Sequence, residues 1–66
     1  MIISKFTLPE LQYFEKHCNF TDIELSVFRL RSQGASLDDV SFILRITKDK
    51  SKKLSQKVNR KIIKAL

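Results

Sequence analysis

Residues 34–66 read GASLDDVSFILRITKDKSKKLSQKVNRKIIKAL, and this half of a 66-residue chain decides the fold. Gly34 is the only glycine in the chain. It stands where a preceding helix would need a left-handed residue to stop. Ser36 is a helix-capping type, and Asp38 and Asp39 follow where negative charge suits a helix N-terminus. These features predict a short helix over Leu37–Leu44, with Val40, Ile43 and Leu44 as core candidates. Arg45-Ile46-Thr47 then reads as a turn. Ser41 supplies a small residue for close helix approach, and Ile46 can plug the space between the helices. Thr47 caps a second, longer helix running from Lys48 towards Ala65, a stretch without Gly or Pro. A short helix, a three-residue turn and a longer helix make a helix-turn-helix unit.

The longer helix is sharply two-sided. At about 100° per residue, Leu54, Val58, Ile62 and Ala65 lie within about 60° of Ser51 and form an apolar stripe. Asp49, Lys52, Lys53, Gln56 and Arg60 lie opposite. Lys50, Lys57, Lys61 and Lys64 fill a flank between the two sides. The charge is as unevenly spread along the chain. The last 19 residues carry eight basic side chains and one acid, against five and six in the first 47, within a formal net charge of +6. One cationic helix in an otherwise near-neutral domain points to a polyanion, and nucleic acid is the commonest large one.

Working towards the N-terminus, Thr21 with Glu24 forms a capping box, with Phe20 and Leu25 placed as a hydrophobic staple. A helix over Asp22–Ser32 is predicted. Ile23, Val27 and Leu30 share one face and Leu25 and Phe28 another, so this helix is expected to be the central one. Thr7-Leu8-Pro9-Glu10 repeats the device, with Pro in the first turn. It opens a helix over Leu8–His17 in which Leu8, Leu11, Phe14 and Cys18 recur at three- and four-residue steps. Asn19 is its expected stop. The fold class is therefore all-α: a small four-helix helix-turn-helix domain, one domain over 1–66, with a long basic C-terminal helix.

Composition narrows the function. A chain this short has little room for a deep pocket beside its core, and it buries only about 60% of its unfolded surface. No carboxylate pair, nucleophile–base pair or glycine loop is placed for catalysis. Cys18 and His17 are the only residues of their types, so no disulfide framework, cofactor or metal site is expected. Cys18 reads as a buried, inert thiol. No long apolar run marks a signal peptide or membrane span, and a cytoplasmic setting is expected.

Several stretches resemble a known superfamily. Phe20-Thr21-x-x-Glu24 is similar to the Leu-Thr-x-x-Glu opening of LuxR-type (GerE-like) domains and of sigma factor region 4. Val27, Leu30 and Gly34 follow at the family spacing. Gly34-x-Ser36-x-x-Asp39-Val40-Ser41-x-x-Leu44-x-Ile46-Thr47 matches Gly-x-Ser-x-x-Glu-Ile-Ala-x-x-Leu-x-Ile-Ser without a gap, with Ser41 for the usual Ala. Val58 and Lys61-Ile62 fall where the family has an apolar residue and Lys-Leu. The resemblance implies a DNA-binding transcription regulator, with Thr47, Lys52 and Lys53 at positions that touch DNA. It also implies a looser start to the long helix, because Ser51 replaces an apolar residue. It leaves off at Leu66, before the extra helix through which LuxR-type domains pair. The added N-terminal helix makes sigma region 4 an equally good comparison.

The major groove of B-DNA admits one helix, which meets base edges near its N-terminus and phosphates along its flanks. Asp49, Lys52, Lys53 and Gln56 are then the base-facing candidates. Thr47, Lys48, Lys50, Lys57, Arg60, Lys61 and Lys64 are the phosphate candidates. Lysine, a point charge without a bidentate fork, favours phosphate contact over sharp base reading. The expected function is a sequence-specific or semi-specific transcription regulator on double-stranded DNA. The alternative is a sigma-like module that binds RNA polymerase or another regulator. For that reading, or for a homodimer, Ile2, Ile3, Phe6 and Ile63 are the contact candidates. A basic amphipathic helix lying on an anionic membrane is a third, weaker reading.

Overall fold

A computed structural model describes residues 5–66. It holds four helices, α1 (Leu8–His17), α2 (Asp22–Ser32), α3 (Leu37–Leu44) and α4 (Lys48–Ala65), and no strand among the described residues. The all-α, four-helix class is as expected, and so are the helix boundaries. The reason is local. Each helix begins at a Ser or Thr whose side chain accepts a hydrogen bond from the backbone N–H three residues on: Thr7, Thr21, Ser36 and Thr47.

The helices also stop for local reasons. Asn19 (φ +52°), Gly34 (φ +90°) and Arg45 (φ +55°) all sit in the left-handed region. After α2, Ala35 N–H reaches back to the Leu30 carbonyl at 3.1 Å and Gly34 N–H to Arg31 at 3.0 Å. After α3 the same closure recurs, with Ile46 N–H on the Ser41 carbonyl at 3.0 Å. Arg45 there does what glycine does after α2, at a steric cost of about 1 kcal/mol.

Phe14, Cys18, Val27, Phe28, Val40, Leu54, Val58 and Ile62 form the buried core. Each helix contributes, but α4 is the hub: it packs on α1, α2 and α3, whereas α2 meets mainly α4 and α3. The central place expected for α2 therefore belongs to α4. An 18-residue helix spans about 27 Å, so it can underlie all three shorter ones. Three core assignments also change. Leu8 is 67% exposed, Ile43 54% and Ile23 36%. Leu8 lies in the first turn of α1, at the helix end, and an eight-residue α3 can turn only one narrow side inward. Val40 is fully buried there, and Leu44 and Ile46 pack against the core as half-buried neighbours.

Ser51 does not loosen the start of α4. It is fully buried, and its hydroxyl donates to the Leu37 carbonyl at 3.1 Å, tying α4 to the first residue of α3. Phe6, expected as a partner contact, instead lays its ring on Phe14 with centroids 5.1 Å apart, as part of the domain's own packing. Ile2 and Ile3 lie outside the described residues.

Candidate nucleic-acid interface

The candidate surface is the side of α4 that the core does not use. Ser51, Leu54, Ser55, Val58 and Ile62 face inward and are buried. Lys50, Lys52, Lys53, Gln56, Lys57, Arg60 and Lys64 are exposed, as are Thr47, Lys48 and Asp49 at the helix start. This inward edge, flanked by half-buried Asn59, Lys61 and Ala65, holds the rod to the domain and leaves the opposite side to solvent.

The cations separate into two groups. Lys48 pairs with Asp38 at 3.0 Å, and both side chains are largely exposed. Such a pair contributes little and exchanges readily. Lys61 differs. Its ammonium closes on the Glu24 carboxylate and also donates to the Asn19 carbonyl at 3.2 Å. Glu24 is 4% exposed, so Lys61 holds a charge that water does not reach. The Lys61 ammonium, and then the Thr21 backbone N–H, hold the Glu24 carboxyl below the usual glutamate range. Lys61 is thus a structural cation and leaves the set of phosphate candidates. Lys50, Lys52, Lys53, Lys57, Arg60 and Lys64 have no acidic partner among the described residues.

The start of α4 also differs from the other helix starts. At α1, α2 and α3 an acid three residues beyond the cap returns a bond to the cap's own N–H: Glu10, Glu24 and Asp39. At α4 that position is Lys50. The Thr47 hydroxyl accepts from Lys50 N–H at 3.1 Å, and no side chain returns to the Thr47 N–H. The N-terminal end of α4 therefore keeps a backbone donor that no side chain answers, at the positive pole of the helix. Asp49 is the only acid on α4, and neither Lys52 nor Lys53 closes on it.

Between the end of α1 and the last turns of α4, His17, Cys18, Lys61, Lys64 and Ala65 line a shallow open cleft. Cys18 is buried, as expected, and free. Burial pushes its thiol pKa up against a smaller opposing pull from Lys61, which keeps it protonated and a poor nucleophile. No helix among the described residues is long and apolar enough to cross a membrane. Ile63, the remaining contact candidate, is 59% exposed.

Comparison with protein-family models, with curated proteins and with solved structures finds no match to this chain.

Proposed function

We propose that this domain binds double-stranded DNA through the outer side of α4, as a small transcription regulator acting in the cytoplasm. One observation carries the reading. Six exposed cations on a single helix lack acidic partners among the described residues, whereas the two remaining cations of that helix are paired. Six unneutralised charges between Lys50 and Lys64, along about 21 Å, repel one another, and a row of phosphates relieves that repulsion. The short α3, the Arg45–Thr47 turn and the inward seating of Leu54, Val58 and Ile62 support insertion of one helix into a major groove. The resemblance to LuxR-type domains and sigma factor region 4 supports the same reading.

Within that reading, Lys52, Lys53, Gln56 and Asp49 face the bases. Thr47, Lys48, Lys50, Lys57, Arg60 and Lys64 face phosphates. The Thr47 N–H and hydroxyl add an anion contact that carries no side-chain charge. With lysines supplying most of the contacts, sequence preference is modest.

The test is duplex binding followed by fluorescence anisotropy over a range of salt. The expected affinity falls steeply with salt, at a log–log slope of about −0.9 for each phosphate contacted. Removing Lys52 and Lys53 together lowers the affinity, and removing the phosphate-facing Lys57 and Arg60 lowers the slope as well. A parent protein that binds no duplex even at low salt, yet captures RNA polymerase or another regulator, would replace this reading with the sigma-like interaction module.

A further inference from the structure

Within α4, the exposed residues that carry no positive charge are Asp49, Gln56 and Ile63; every other exposed residue of the helix is Lys or Arg. The three stand seven residues apart. At about 100° per residue, seven steps return to within about 20°, so they form one row on the side away from the buried stripe. Lys48 and Lys52 border the row on one side, and Lys53, Lys57, Arg60 and Lys64 on the other, all within about 100° of it. A cation-free row between two cationic margins matches the section of a major groove, where base edges lie between two phosphate backbones.

Resting on the DNA reading above, we propose that Asp49 and Gln56 set the base preference of this domain, with Gln56 on an adenine and Asp49 on the amino group of a cytosine. A glutamine amide offers a donor and an acceptor side by side, which pair with N7 and the N6 amino group of adenine. A carboxylate only accepts, so it suits the cytosine N4 amino group and is repelled by the guanine and thymine acceptors. Asp49 forms no ion pair among the described residues, although Lys48, Lys50, Lys52 and Lys53 all lie within four residues of it. Turned to phosphates, its charge would only oppose binding. Turned to bases, the same charge discriminates.

The rise of about 1.5 Å per residue sets Asp49 and Gln56 about 10.5 Å apart, which is two to three base pairs along the groove at about 3.4 Å of axis each. Ile63 continues the row as far again, where a groove that winds has turned away from a straight rod. An acid in the first turn also suits the helix dipole, but that role leaves Gln56 and the cationic margins unaccounted for. Two discriminating side chains among many lysines agree with a modest preference.

Selection from a random duplex pool tests the proposal, followed by anisotropy on the selected duplex and on its single-base variants. Circular dichroism confirms the fold of each protein variant. The parent should select a cytosine two to three base pairs from an adenine. Gln56→Ala should cut discrimination at the adenine about tenfold and leave the salt slope unchanged, since no charge is removed. Asp49→Ala should abolish the preference for cytosine and tighten binding to unrelated duplex, because a charge that phosphates repel is gone. A dipole role alone would lower the melting temperature of Asp49→Ala and leave base preference as it was. A parent that binds duplex with steep salt dependence, but whose preferences survive both substitutions, would overturn this inference and leave the DNA reading standing. A parent that binds no duplex even at low salt would overturn both.

Discussion

The inner and outer sides of α4 share one backbone and answer to different forces. Inward, Ser51, Leu54, Ser55, Val58 and Ile62 are packed from three directions. Their identities are set by volume and by what water cannot reach. Outward, Lys50, Lys52, Lys53, Lys57 and Arg60 touch little of the domain, and nothing in folding asks for charge there. Lys61 lies on the border and belongs energetically with the inner set, because its partner is a buried carboxylate. Residue type alone would group all the lysines together, whereas burial of the partner divides them.

Substitutions stepped around the helix should therefore fall in a graded order of stability. Ile62→Ala comes first. It is fully buried, and its truncation should cost about 3 kcal/mol. That is a large share of the roughly 3–10 kcal/mol expected for a chain of this length, and urea denaturation will show it as a much earlier midpoint. Lys61→Ala comes next, at about 2 kcal/mol, because it strips the charged partner from a buried carboxylate.

The same pair gives a pH signature. The folded-state pKa of Glu24 lies below its unfolded value, so the stability it supplies is present above the ordinary glutamate pKa of about 4.3. That stability is lost as pH falls through the lowered folded-state pKa. Glu24→Gln should flatten the fall in melting temperature between about pH 5 and pH 3 relative to the parent.

Ser51→Ala should cost about 1 kcal/mol through loss of the bond to the Leu37 carbonyl. It would also loosen the α3–α4 corner, visible as faster amide exchange in α3. Smallest is the outer pair. Lys52→Ala and Lys53→Ala should each leave stability within about 0.5 kcal/mol of the parent. If either one costs as much as Ile62→Ala, the division of the helix into two sides is wrong.

The pattern of successes in the sequence follows the range of the interactions. All four helix starts were legible because a cap acts across three residues. Asn19 and Gly34 were legible as stops because their types favour left-handed backbone. The turn at Arg45 was legible but its left-handed backbone was not, since arginine carries no such preference and only the surrounding closure holds it there. Leu54, Val58 and Ile62 were legible as an inner edge because a long amphipathic helix repeats its pattern several times. Ile43 and Leu8 were misjudged because α3 and the first turn of α1 are too short to repeat theirs. The pairing of Lys61 with Glu24 spans 37 residues, and no local spacing reports it. The hub position of α4 was hidden for the same reason, since which helix the others surround is a matter of tertiary contact.

Amide chemical-shift mapping against an unlabelled DNA duplex at low salt tests the central claim most directly. The account predicts shifts concentrated on Thr47–Lys53 and continuing along Gln56, Lys57 and Arg60, with Leu54, Val58 and Ile62 side-chain methyls nearly still. Shifts centred instead on α1 or on the outer side of α3, or an unchanged spectrum at saturating duplex, would contradict it.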